Sequence, residues 1–280
     1  MQEMIYVLQG DGQMCNRIIY FVHALAVALE FKQDLKHFFA DEILKFADGV
    51  PDAIPERRIV LRNHRGSKLI NYALGRINCF DWLQRRYREC NAKRTTLMRN
   101  RNWMLPLVLA NWNFRYPEGV AKHRERICAF LKVKPQFEIQ PRKILESVRH
   151  GFDGVVAGVH IRRGDYRGFM NGAYYYDDRQ YIHWMKEFES SSGRRVRFVI
   201  VSNEKIDETF FRSQGCDVIV ASGLPQEDVV TLSLCDCIMG PPSTFSRWAA
   251  YYGAVERRQW CLRADSMNCM FLDLELMPEI

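Results

Sequence analysis

The sequence predicts an α/β protein made of two doubly wound units enclosing a cleft, and three observations carry that expectation. The first forty residues run strand, glycine turn, long helix, strand. The second half alternates strand and helix four times. Between them, Val133-Lys134-Pro135 through Gln140-Pro141 reads as a linker, so the expected domains are residues 1–140 and 141–280.

Met4–Leu8 is a short β-like run, and Gly10-Asp11-Gly12 marks the turn that ends it. Ile18, Ile19, Val22, Leu25, Ala26 and Leu29 recur at helical spacing, which predicts a helix from Asn16 to Phe31 with Asn16 near its cap. Leu35–Phe39 reads as the next strand. Residues 51–119 mix aromatic, basic and short apolar runs, and read as helices with long loops. A helix is expected over Glu118–Leu131 and another over Arg142–Arg149.

The second half is more regular. Strands are expected at Val155–Ile161, Val196–Ser202, Asp217–Val220 and Cys237–Gly240. Helices are expected at Asp178–Phe188, Ile206–Phe211, Gln226–Cys235 and Ser243–Gly253. That alternation predicts a parallel sheet, with ligands beyond the carboxyl ends of its strands. Trp260–Ile280 has no clear rhythm, and a return to the first domain is its expected course.

Composition narrows the class. The chain has 280 residues, 48% hydrophobic and 26% charged, which is ordinary for a globular protein and argues against disorder. Apolar stretches such as Met104–Ala110 fall far short of the ~20 residues of a spanning helix. The amino terminus lacks the basic start and apolar core of a signal peptide, so a cytoplasmic protein is expected. Nine cysteines, an odd number, fit free thiols in a reducing compartment better than a disulfide framework. Cys235-x-Cys237 is too tight for a zinc knuckle and reads as packed core.

The formal charge of +7 is unevenly placed. Thirteen Lys and Arg stand between Arg57 and Arg101 against two acids, Asp81 and Glu89. Such a field draws polyanions or an anionic membrane face, or is simply a solvated basic surface. No nucleic-acid module accompanies it, so nucleic acid is not an expected partner.

The chemistry-bearing segment is His160-Ile161-Arg162-Arg163-Gly164-Asp165-Tyr166. Neighbours on a strand face opposite ways, so if the strand persists to this point the two arginines divide the work; the alternative is a surface turn with an ordinary Arg–Asp pair. One reaches forward to a diphosphate with its planar fork. The other is tied back to Asp165 or the chain. Gly164 permits a sharp turn or a close approach. His160, at the strand end, either touches a nucleotide or packs.

Pro241-Pro242 then stops a short strand, placing Ser243 or Thr244 at a helix start suited to an anion. Glu227-Asp228 opens the preceding helix, where an acid suits the dipole and could equally accept N–H groups of a guanine. Tyr174-Tyr175-Tyr176 is either an aromatic wall for a sugar or ordinary packing. Gly10–Arg17 is neither G-x-G-x-x-G nor a phosphate loop, which disfavours dinucleotide and ATP binding. H-E-x-x-H and G-x-S-x-G are absent from the sequence.

These segments together resemble the α-1,2-fucosyltransferase family, whose hallmark His-x-Arg-Arg-Gly-Asp-Tyr is met by His160 to Tyr166. Its late Ser-Thr/Ser-Phe-x-x-Trp-Ala-Ala run is met by Ser243–Ala250, and Asp228 holds the acidic place sixteen residues before Thr244. The family's amino-terminal Gly-x-x-Gly-Asn-Gln is met only in part, by Gly12-x-x-Cys15-Asn16-Arg17. The absence of a membrane anchor resembles the bacterial members.

The resemblance implies a GT-B type fold of two Rossmann-like domains facing a cleft. It also implies GDP-fucose as donor, inversion at the anomeric carbon, and neither cofactor nor required metal. The resemblance does not fix the linkage: the acceptor expected is the 2-hydroxyl of a galactose-ending glycan, and the alternatives are another linkage, a lipid-linked acceptor, which the basic first domain suits at an anionic membrane, or a non-catalytic glycan-binding protein. The roles it implies are charge compensation at the β-phosphate by Arg162 or Arg163, and phosphate binding by Ser243 and Thr244 beside Phe245. Asp228 accepts from guanine, His160 supports the nucleotide pocket, and Asn16 and Arg17 reach over from the first domain. The acceptor's base is left open between Asp165 and, second, Asp11.

Overall fold

The computed structural model describes residues 4–8, 10, 12–62, 107–109, 114–221 and 223–260. The expectations for Asp11, most of the basic Arg57–Arg101 region and the tail beyond Trp260 lie outside the described residues. The chain divides into two units, Met1–Lys132 and Val133–Ile280.

The first unit holds a parallel sheet of order β3-β2-β1-β4. Its strands are β1 (Met4–Val7), β2 (Asp34–His37), β3 (Ile59–Leu61) and β4 (Leu107–Leu109). Helix α1 (Met14–Glu30) follows β1, and fourteen of its seventeen residues are buried. A helix apolar all round is a core helix, not an amphipathic surface one. It begins two residues before Asn16, and Gln13 occupies the cap position without a side-chain bond. Asn16 is used otherwise: its amide lies over Gly12, 2.6 Å from where a Cβ would stand. Gly12 also has φ +83°, so glycine is required there on both counts.

Helix α2 (Asp41–Phe46) follows β2. The single helix expected over 118–131 is two, α3 (Pro117–Lys122) and α4 (Arg124–Phe130). They break at His123, whose Nε2 lies 2.8 Å from Glu30 of α1. Strand β3 corrects the reading of residues 51–119 as helices and loops alone. With three residues, it was too short for periodicity to reveal.

The second unit opens with α5 (Ile139–Arg149), which starts before the predicted Arg142 because Pro141 is tolerated in a first turn. Its parallel sheet has the order β7-β6-β5-β8-β9. The strands are β5 (Val155–Ile161), β6 (Val196–Ser202), β7 (Val218–Val220), β8 (Cys237–Gly240) and β9 (Glu256–Gln259). β5 is buried along nearly its whole length, as a central parallel strand covered on both faces must be.

Helices α6 (Asp178–Ser192), α7 (Glu208–Ser213), α8 (Pro225–Ser233) and α9 (Thr244–Gly253) connect the strands. α7 begins later than expected because Asp207 caps it, accepting from the Phe210 N–H at 3.2 Å. Ala157, Val159 and Ile161 of β5 join Met185, Phe198, Ile200 and Met239 in the core. In this sheet the order reverses between β5 and β8. That switch point is where open α/β sheets take ligands.

Candidate active site

Two loops meet at the switch point: Arg162–Tyr166 after β5 and Pro241–Thr244 after β8. Gly240 lets the strands end side by side. Its φ is +155°, and a Cβ there would stand 2.6 Å from the His160 carbonyl oxygen. The loops are then joined directly, as the buried Tyr166 hydroxyl donates to the Pro242 carbonyl at 2.8 Å. The His160 ring stacks on Phe245, centroids 4.9 Å apart.

The two arginines separate in the turn just past the end of β5, where strand alternation no longer applies. Arg162 pairs with Asp165, its Nε and Nη2 donating to the two carboxylate oxygens at 3.1 and 2.6 Å. Its guanidinium lies 4.9 Å from the Tyr166 ring centroid. Arg163 goes inward and is 8% exposed. Its Nε donates to the Tyr176 carbonyl at 2.8 Å and its Nη2 to Asp178 at the start of α6. Its backbone N–H donates to Asn203 at 3.0 Å. Arg163 is therefore the arginine tied to the chain, and Arg162 the one at the site's surface. Arg162 also holds the Asp165 carboxyl below its ordinary range, which weakens Asp165 as a proton acceptor.

His160 is buried, and burial first, then Arg162 and Arg257, hold its pKa down to about 3. It is a neutral imidazole, and its Nδ1 has no hydrogen-bond partner among the described residues. Asp228 is the second such group. It is 8% exposed, and burial followed by the neighbouring Glu227 raises its carboxyl to about 8. Glu227 accepts from the Leu224 N–H at 2.8 Å and so does the capping. Asp228 Oδ1 is buried with no partner among the described residues. Buried polar atoms are nearly always paired, so these two are candidates for a ligand, although a core atom such as His37 Nε2 is also unmatched among the described residues.

Ser243 caps α9, accepting from the Phe245 N–H at 3.2 Å, and Thr244 beside it is buried. Arg257 props this turn, its Nε donating to Ser246 Oγ and its Nη2 to the Pro241 carbonyl, both at 3.0 Å. In the first unit, Arg17 near the start of α1 is held by its own unit, donating to the Gly12 carbonyl at 2.9 Å and to Asp41 at the start of α2 at 2.6 Å. Tyr174 and Tyr176 are buried packing; Tyr175 is half-buried beneath Arg167.

Sequence reasoning missed Asn203, Asp178 and Arg257. Asn203 follows directly on the strand next to β5, a position that could have found it. Arg257 gave no signal, because Glu-Arg-Arg-Gln is a charged edge strand without apolar alternation. Among the described residues no group of three or more His, Cys, Asp or Glu is placed to hold a metal, and no helix is long and apolar enough to cross a membrane.

A family model, glycosyl transferase family 11, matches residues 136–256. That span holds every site residue from His160 to Phe245; Asn16, Arg17 and Arg257 lie outside it. Galactoside alpha-(1,2)-fucosyltransferase 1 of Oryctolagus cuniculus is 29% identical over 143 residues, and that of Rattus norvegicus 29% over 144. Each match covers 46% of this chain and 37% of the relative, so the chain spans little more than a third of these curated relatives.

Among solved structures, the fucosyltransferase NodZ from Bradyrhizobium superposes with a TM-score of 0.60 at 13% identity, covering 94% of this chain and 96% of that one. POFUT1 in complex with GDP gives 0.57 at 9%, covering 92% and 98%. At such identities the likeness is one of fold, and the fold is the α/β GT-B type.

Proposed function

We propose that this chain is an inverting fucosyltransferase that moves L-fucose from GDP-fucose to a glycan hydroxyl, the 2-hydroxyl of a terminal galactose. The observation that carries the reading is the switch point itself. A surface-facing arginine fork and a helix N-terminus flank it, and two buried polar groups, on His160 and Asp228, stand unmatched. A nucleoside diphosphate complements that set. Asp228 accepts from the N–H groups of guanine, and His160 with Phe245 lines the base pocket. Ser243 and Thr244 present the α9 terminus to phosphate.

As the bond from the anomeric carbon to the β-phosphate oxygen breaks, negative charge grows on GDP. Arg162 stands ready to compensate it without reorganising. The acceptor oxygen attacks the opposite face, which inverts the anomeric carbon, and its proton is given up to solvent water as GDP departs. Arg163 and Asn203 hold the loop that carries Arg162. Asp165 holds Arg162 in the empty site, and its lowered carboxyl makes it a poor base for the acceptor's proton. The α-1,2 relatives support the linkage assigned, while an alpha-1,6-fucosyltransferase stands among the fold neighbours.

The reading needs neither cofactor nor metal, and it places the enzyme in the cytoplasm with oligosaccharide or lipid-linked acceptors. The basic Arg57–Arg101 region suits peripheral contact with an anionic membrane. Binding to anionic vesicles, lost when Arg85, Arg86 and Arg88 are neutralised, tests that part.

The deciding experiment is transfer from GDP-fucose to a panel of galactosides, with the product linkage read by NMR. GDP, and not ADP or UDP, is expected to raise the melting temperature. No GDP shift, and no consumption of GDP-fucose with any glycan, would sink the proposal.

A further inference from the structure

The Arg162–Asp165 pair is built from two unequal halves. Arg162 is a permanent cation whose side chain is only 18% exposed. A charge so far removed from water needs a counter-charge. Asp165, three residues on, supplies it with both carboxylate oxygens. The arginine is steadied from below by the Tyr166 ring at 4.9 Å, and that ring is fixed in turn to Pro242. The carboxylate has no such support. Its side chain is 51% exposed, and among the described residues its hydrogen bonds are the two from Arg162 and one from its own backbone N–H. Released, it returns to water at little cost, while the guanidinium stays in place.

A diphosphate offers the same bidentate oxygens as a carboxylate, with more charge. We propose that Asp165 is a placeholder anion. It holds the Arg162 fork in its binding pose while the site is empty, and the incoming diphosphate displaces it. Asp165 is then a positioning residue that acts through Arg162 and competes with the donor for it. The inference rests on the donor site proposed above.

Competition fixes the sign of one measurement. Asp165→Asn keeps the side chain's size and removes the competing charge. With its carboxylate half in water, this pair is worth about 1 kcal/mol, so the variant is expected to bind GDP roughly two- to fivefold tighter. Inorganic diphosphate should show the same gain, because the competition concerns charge alone. The ligand-free variant should melt at a lower temperature, since Arg162 has lost its counter-ion.

Calorimetric titration of folded wild type and variant with GDP and with inorganic diphosphate reads the effect. Equal or weaker binding by the variant overturns the proposal and leaves Asp165 a simple brace. Should the Asn variant fail to fold, Asp165→Ser reads the same competition. Wild-type protein that binds neither ligand overturns the donor site itself, and this inference with it.

Discussion

The Tyr166 hydroxyl donates to the carbonyl of Pro242 at 2.8 Å, tying the loop after β5 to the turn that starts α9. The same ring lies under Arg162. Tyr166→Phe keeps the ring and deletes only the tie, leaving a buried carbonyl short of a donor. A loss of about 1–2 kcal/mol in denaturant unfolding is expected, together with weaker GDP binding. Unchanged GDP affinity would show that the two loops are positioned independently.

Arg162 and Arg163 are expected to fail differently when replaced by alanine. Arg163→Ala abandons Asp178 and the Tyr176 carbonyl in a mostly buried setting. Removing one partner of a buried pair costs about 3–5 kcal/mol, and Asp178's partial exposure places this case near the lower figure. Arg162→Ala strands only a half-exposed carboxylate, so the fold should persist while transfer and GDP affinity collapse. Thermal melts beside turnover rates separate the two. Equal stability for both variants would contradict the division of labour.

Gly164 and Gly240 are also expected to differ. A Cβ on Gly240 would meet the His160 backbone at 2.6 Å, where nothing can yield without moving β5. Gly240→Ala is therefore expected to cost several kcal/mol, at or above the ~1–3 kcal/mol of an overpacked core site. A Cβ on Gly164 would meet the end of the Asn203 side chain at 2.7 Å, which can swing away. Gly164→Ala should fold, lose the Asn203 latch on the Arg163 N–H, and bind GDP more weakly. Melting temperatures of the two variants, with GDP titrations of the second, check this.

Much of the second unit was legible in the sequence, because β5 and β6 are seven-residue, largely apolar runs and the short β8 is apolar throughout, so they need no partner to be recognised. β5, β6 and β8 fall where Val155–Ile161, Val196–Ser202 and Cys237–Gly240 were expected. Strands β3 and β4, of three residues each, and the charged edge β9 were not legible. Their places are set by hydrogen bonding to neighbours, which leaves no periodic trace. In the site, β5 ends at Ile161, so the alternation expected to divide Arg162 from Arg163 does not reach them, and the sequence could not say which faced inward. That is decided by Asp178, the Tyr176 carbonyl and Asn203, all at least thirteen residues away in sequence.

Asp228 gives the donor reading a proton signature. Its carboxyl titrates near 3.8 when unperturbed and is raised to about 8 by burial and Glu227. Between those values the folded protein holds a proton that the unfolded chain has lost, so ligand-free stability should fall as pH rises through that window. Guanine offers N–H donors, which need the ionised carboxylate, so GDP binding expels the proton. Affinity for GDP should therefore climb with pH, at most about tenfold per unit, and flatten above about pH 8. Inorganic diphosphate carries titrating phosphate groups but no base, and serves as the control. Asp228→Asn should lose both the stability slope and the pH dependence of GDP binding. Each hydrogen bond to a charged group contributes about 1.5–3 kcal/mol, so its GDP affinity should fall roughly ten- to a hundredfold. GDP and diphosphate titrations that run parallel across this range would place the base away from Asp228.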